Sequence, residues 1–268
     1  MQSVRLPGGV RVDGTRHRIA RFRPLTGSVE LAIAEARETN DLYPAFVTRI
    51  LAAAVASVGT VPFTPHVARA LCVADRQVLL KTLLIMLGKD TIWMQPWCPS
   101  CGQRFDVPVT HSQLPVAEAP GDYPVFRGRV GNQAVRLRVL TGQAEEMISA
   151  IGDEGAALDA LIEYAVDWGE KKPLQPLGRD ELDQVEQQLE EGSPAIAEEV
   201  MSQCPYCRAD VTLALDFIAG LLEEDSILQD IHQIAMHYHW SQEAITALPR
   251  QRRKQYLKMI HAARGMEE

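Results

Sequence analysis

From Tyr43 onward the apolar residues return every three or four positions: Tyr43, Phe46, Val47, Ile50, Leu51, Ala54 and Val58 fall on one stripe. That spacing predicts an amphipathic helix, capped by Asn40-Asp41 and running to about Val58 before Gly59. A second helix is predicted to start at Thr64-Pro65 and a third at Asp75, ending at Gly88. The third is apolar on nearly every side, which makes it the central element of the N-terminal half, with Trp93 and Trp97 carrying the chain onward. Further on, residues 125–130 and 134–140 flank Gly131-Asn132 and read as a β-hairpin. Thr141 caps a helical stretch, Asp153 opens another through Val166, and residues 179–191 form a third with Leu182, Val185 and Leu189 as its buried stripe. Gly192-Ser193-Pro194 ends that helix, and residues 195–201 predict a last short one. After Leu215 a stripe through Phe217, Leu221, Ile227, Ile231 and Ile234 predicts a helical tail. Ser241 then caps a short helix, and Pro249 starts a final one with Tyr256, Leu257 and Ile260 inward. Residues 1–27, with Pro7, Gly8, Gly9 and Gly14, read as a flexible arm.

Two Cys-x-x-Cys pairs interrupt this pattern, Cys98-Pro-Ser-Cys101 and Cys204-Pro-Tyr-Cys207, separated by 102 residues. A two-residue spacer lets a tight turn present both sulfurs to one cation, so the two pairs supply the four thiolates of a closed tetrahedral zinc site. Phe105, Val107 and Val109 alternate after the first turn, and Val211, Leu213 and Leu215 after the second, so each turn feeds a half-buried strand. A redox dithiol, a pair of disulfides and unrelated buried cysteines are the competing readings; disulfides require an oxidising compartment. A site with four sulfur ligands has no open position, so its role is structural. Structural zinc contributes about 10–16 kcal/mol in finger peptides, comparable to the stability of a whole domain. The expected content is one zinc per chain.

Composition bounds the remainder. The 268 residues exceed one typical domain, and 46% hydrophobic content is ordinary for a globular chain. No run approaches a membrane span, the N-terminus lacks an apolar signal core, and Cys72, between Leu71 and Val73, fits a small buried hydrophobe. The net charge of −8 argues against a general nucleic-acid binder. Charge is segregated: residues 1–27 hold six arginines and one acid, residues 249–266 six bases and no acid, and residues 141–200 sixteen acids and three bases. The ends and the middle therefore face different partners or each other, unless the clusters are only solvated faces. In the last helix Arg250, Arg252, Arg253, Lys254 and Lys258 are the candidate partner-binding residues, since the apolar face turns the charge outward.

Other constellations are weaker. On one helix His232 and His239 lie about 10.5 Å apart along the axis and His237 points elsewhere, so they do not form a metal triad. The acid pairs Glu145-Glu146, Glu190-Glu191 and Glu223-Glu224 point to different azimuths and read as surface charge. Phosphate loop, nucleophile elbow, dinucleotide fingerprint and His-Glu-x-x-His are absent, which disfavours an enzyme and a small-molecule substrate.

Several motifs in order resemble one family. They are Arg23-Pro24-Leu25-Thr26-Gly27, Ala74-Asp75-Arg76, the two Cys-Pro-x-Cys turns, and an ending from Ile231-His232 through Tyr238-His239-Trp240-Ser241 and Leu248-Pro249 to Arg252-Arg253 and Tyr256-Leu257. Together these are similar to the phage baseplate hub assembly family, the T-even-type tail hub assembly chaperones with relatives in phage-like contractile injection systems. The resemblance implies a non-enzymatic protein that acts with hub or other tail proteins in the host cytoplasm during assembly, with retention in the particle left open.

The expected fold is α+β and mostly helical: a four-cysteine zinc ribbon (98–110 and 202–216) staples an N-terminal helical region (28–97), an acidic α/β insert (111–201) and a helical tail (217–268), behind the arm (1–27). The rival function is a zinc-ribbon nucleic-acid binder that uses the arginine-rich arm and the last helix.

Overall fold

A computed structural model describes residues 2–37, 39, 42–170, 173, 175–218, 221, 227–263 and 265. The chain opens with two antiparallel strands, β1 (Ser3–Val12) and β2 (Thr15–Phe22), so the expectation of a flexible arm is corrected. The Gly8-Gly9 step that suggested mobility lies where the register of this pair shifts, inside a strand rather than in a tether. Next come α1 (Gly27–Arg37) and α2 (Tyr43–Ala54), then β3 (Val55–Val58) and β4 (Val61–Pro62), which complete a sheet of order β1-β2-β3-β4. The helix expected to reach Val58 therefore stops at Ala54. Both corrections have one cause. The β2 edge offers a ladder to which the β-branched Val55 and Val58 are suited, and pairing buries them fully beside Leu6, Ala20 and Phe22. The predicted Asn40-Asp41 cap lies outside the described residues; Leu42 occupies the cap position of α2 without a side-chain bond.

Helix α3 (Pro65–Ala70) starts where Thr64 Oγ1 accepts the Val67 N–H, and α4 (Val73–Met86) is the buried central helix the sequence predicts. Strands β5 (Thr91–Met94) and β6 (Val107–Thr110) flank the first cysteine turn, and β7 (Val116–Ala117) leads into the insert. There β8 (Val125–Val130) and β9 (Gln133–Arg138) form the predicted hairpin. Two helices follow, α5 (Gly142–Ser149) and α6 (Glu154–Ala165), the latter capped by Asp153. Strand β10 (Val166–Asp167) joins β9, and α7 (Arg179–Gly192) covers β8. The short helix expected over 195–201 is instead β11 (Ala195–Ile196), paired with β7, and the start of β12 (Glu199–Gln203), paired with β13 (Asp210–Ala214). Tertiary pairing overrides local helix preference in this segment. The tail holds α8 (Ile227–Tyr238), α9 (Gln242–Thr246), capped by Ser241, and α10 (Arg250–Ala263).

Among the described residues the fold is mixed α/β, with ten α-helices and several small antiparallel sheets. Its main core joins the N-terminal sheet and helices to both cysteine hairpins: Leu6, Phe22, Leu79 and Leu83 pack in one cluster with Cys98, Val107, Cys204, Val211 and Leu213. A second cluster, through Leu137, Val166 and Val185, belongs to the insert, and a third, through Ile234, Ile245 and Ile260, holds the tail together against Leu31 and Ala34 of α1. No described helix is long and apolar enough to cross a membrane.

Candidate metal centre

Each cysteine pair sits at the tip of a β-hairpin, Cys98 and Cys101 between β5 and β6, Cys204 and Cys207 between β12 and β13. The two tips have the same backbone. Cys98 N–H donates to Gln103 O at 2.9 Å and Cys204 N–H to Ala209 O at 2.9 Å, while Gly102 and Arg208 N–H donate back to Cys98 O and Cys204 O. The fourth residue after each leading cysteine is left-handed, Gly102 at φ 69° and Arg208 at φ 62°. Glycine occupies that conformation freely, whereas an arginine there carries steric strain.

The folded chain brings all four sulfurs together. Cys98 Sγ lies 3.6 Å from Cys207 Sγ and Cys101 Sγ 3.7 Å from Cys204 Sγ, and the whole set falls within 4.8 Å. Metal–sulfur bonds of about 2.3 Å in a tetrahedral site place sulfurs about 3.8 Å apart. The spacing therefore fits one cation and is far too long for S–S bonds of about 2.05 Å. Cys98 and Cys204 are buried against the main core, and Cys101 and Cys207 face outward. The Cys101 N–H, outweighing burial, and the Ser100 N–H pull the Cys98 thiol down to about 6. Cys101 is pushed up to about 12 and Cys207 is also raised: the N–H groups of Gln103 and Ala209 favour their thiolates, but burial and the neighbouring sulfurs outweigh them. A thiolate at Cys98 thus disfavours a second one at Cys101 or Cys207. Among the described residues this is the one cluster of three or more His, Cys, Asp or Glu ligands close enough to hold a metal ion. Cys72 lies apart and buried, as the sequence suggests, and burial pushes its thiol well up.

The surface around this centre was not legible in the sequence. Met201, Trp93, Trp97 and Tyr206 are 72%, 67%, 67% and 65% exposed, more than any other large apolar side chain described. All four lie on the cysteine hairpins or their tips. Trp93 stands opposite Pro108 in the β5–β6 ladder, Met201 opposite Thr212 in β12–β13, and the Arg104 guanidinium lies 6.0 Å from the Trp97 ring.

The basic candidates of the last helix divide. Arg253 is fully buried: its Nη2 donates to Glu30 at 2.7 Å and its Nε to Asp230 at 3.1 Å, so it ties α10 to α1 and α8 and cannot bind a partner. Arg250 also pairs with Glu30, and Lys254 lies 3.6 Å from Asp230. Only Arg252 and Lys258 of the five remain exposed without an ion pair of this kind. Trp240 packs against Tyr238 and Tyr256, with ring centroids 5.3 and 5.0 Å apart, pinning the helix corner. His232, His237 and His239 are exposed.

The arginines of β1 and β2 are likewise engaged within the chain. Arg5 and Arg18 pair with Glu118, Arg16 donates to Gly8 O and Pro7 O, Arg11 to Tyr123 O, and Arg21 to Gly59 O. Ala74-Asp75-Arg76 is a buried fastening: the Asp75 carboxylate accepts the Gly8 and Gly9 N–H groups at 2.7 and 2.6 Å, holding β1 to α4. Burial raises the Asp75 carboxyl, against the pull of those two donors. Arg23-Pro24-Leu25-Thr26-Gly27 meets Leu248-Pro249 through Gly27 N–H to Leu248 O and Arg250 N–H to Leu25 O, so motifs from the two ends form one junction.

These features define a mixed α/β chain with a four-cysteine cluster compatible with a metal ion. Comparison with family models, curated proteins and solved structures gives no match.

Proposed function

We propose that the protein is a non-enzymatic assembly factor or structural component of the baseplate hub of a contractile phage tail or phage-like injection system. One structural zinc would close the cysteine hairpins into a ribbon, and that rigid platform would present Trp93, Trp97, Tyr206 and Met201 to a hub protein. The observation that carries this reading is the placement of the four most exposed large apolar side chains described on the cysteine hairpins. Tryptophan and tyrosine are the side chains most enriched among interface hot spots, and rigid support lowers the entropic cost of docking. Arg252 and Lys258 offer a secondary charged contact. The same reading places the protein in the host cytoplasm during assembly. A nucleic-acid role is less favoured, because the arginines of β1, β2 and α10 on which it depended are largely tied to acids and carbonyls of the chain itself. The test is co-expression with the hub protein encoded nearby. Capture that is lost in a Trp93→Ser/Trp97→Ser/Tyr206→Ser variant retaining its metal supports the reading; full capture by that variant, or sub-micromolar binding of duplex DNA with a steep salt dependence, overturns it.

A further inference from the structure

Helix α6 buries little of its apolar stripe: Leu158 is 41% exposed, and Leu161 and Ile162 are only half-buried. Across from them Leu182 and Leu189 of α7 are half-buried as well. Between these helices and the first turns of α4 runs a groove of about 990 Å³, whose floor is continued by Val73 and Leu140. Four glutamates line it, Glu186 and Glu190 from α7 and Glu198 and Glu199 at the entry to β12, and among the described residues no arginine or lysine does. Glu198 accepts the Gln77 side-chain amide at 2.7 Å, and the other three carboxylates are exposed.

An apolar lining edged by carboxylates selects an occupant that is apolar on one face and cationic at its edge. Glu186 and Glu190 are one helical turn apart, about 6 Å along the axis, which matches lysines or arginines at i and i+4 of a helix laid beside α7. The volume stands at the upper end of small-molecule sites, and the walls are two helices, a form that accepts a third. We infer that this groove is the docking site for a basic amphipathic helix of a partner protein. The groove includes Glu199 and Ala214 at the base of the second cysteine hairpin but none of Trp93, Trp97, Tyr206 and Met201, and the inference does not depend on the hub assignment.

The experiment uses the full chain and a fluorescein-labelled 14-residue Leu/Lys helical peptide, read by anisotropy. Two control peptides accompany it, one with glutamate replacing every lysine and one with serine replacing every leucine. The Leu/Lys peptide is expected to bind at roughly micromolar Kd and each control at least about tenfold more weakly. Glu186→Lys/Glu190→Lys should weaken the Leu/Lys peptide by about tenfold or more and gain the Leu/Glu peptide, a swap that misfolding cannot produce. Leu158→Asp should weaken both, and the distant Glu243→Lys neither. Absence of binding, equal binding of the serine control, or an unchanged preference in the charge-swapped variant each overturns the assignment.

Discussion

Replacing Arg76 by leucine removes a buried guanidinium that joins four elements. Its side chain is 2% exposed and donates to Pro44 O of α2 at 2.6 Å, to Ala68 O of α3 at 3.1 Å and to Thr48 Oγ1 at 3.0 Å, while its Nε lies 3.2 Å from Glu145 of α5. A Cβ at Gly142 would run into the guanidinium, so the start of α5 has formed around it. Leucine supplies the packing volume but leaves Glu145 without its cation and Ala68 O, near the end of its helix, without that donor. Breaking a buried ion pair costs about 3–5 kcal/mol, against about 5–15 kcal/mol for an entire domain. At about 2–4 °C per kcal/mol, the melting temperature should fall by roughly 6–20 °C. Lysine should recover only a minor part, since one ammonium cannot reproduce the fork. The loss carries a pH signature. Burial raises the Glu145 carboxyl and Arg76 opposes that shift, so without Arg76 it rises further. A carboxyl raised in the folded state costs stability as pH climbs through its folded pKa and is harmless once protonated. The gap between wild type and variant should therefore narrow as pH falls from neutral toward the ordinary carboxylate range. Circular-dichroism melts across that range measure it; a fall of less than about 2 °C, or a gap that widens in acid, refutes the reasoning.

Arg208→Gly relieves the left-handed strain at the second cysteine tip and should stabilise the metal-loaded protein by about 0.5–1 kcal/mol in urea titrations; a loss would mean that the arginine side chain has a role not described above. Glu118, between Arg18 and Arg5, is held down to about 2, so its ion pairs are intact above the usual carboxylate pKa and vanish as pH falls from about 4.5 to about 2. Carbon-13 NMR should show that low midpoint and its return toward the usual range in Arg18→Ala; an ordinary wild-type midpoint contradicts the pairing. Arg253→Leu should destabilise by several kcal/mol, whereas Arg252→Ala and Lys258→Ala stay within about 0.5 kcal/mol in the same melts, and equal effects would refute the division of that helix.

The elements read most clearly from sequence are those whose signal is local. The apolar run of α4, the Gly131-Asn132 hairpin, the Ser241 and Asp153 caps and the three-helix tail all carry their own periodicity or turn chemistry. The four cysteines were equally legible, because their spacing is chemistry rather than fold. What the pattern hid was long-range: β3 is a strand only because β2 lies beside it, and residues 195–203 pair with β7 and β13. Arg253 shows a signal present but passed over. It stands four residues before Leu257 and seven before Ile260, on the inward stripe, while its neighbour Arg252 faces solvent. The same holds for Asp75 and Arg76, whose adjacent charges at the start of a largely apolar helix mark a buried polar junction.

Both cysteine hairpins belong to the main core, and the proposed zinc would close them through four thiolates. Metal analysis of the purified protein, joined to X-ray absorption at the bound ion, tests this most directly. The expected result is one zinc per chain with four sulfur ligands at about 2.3 Å, unchanged in Cys72→Ala and lost together with the fold in Cys98→Ser. Well-folded protein with little metal, or an ion bound through nitrogen or oxygen, would contradict it.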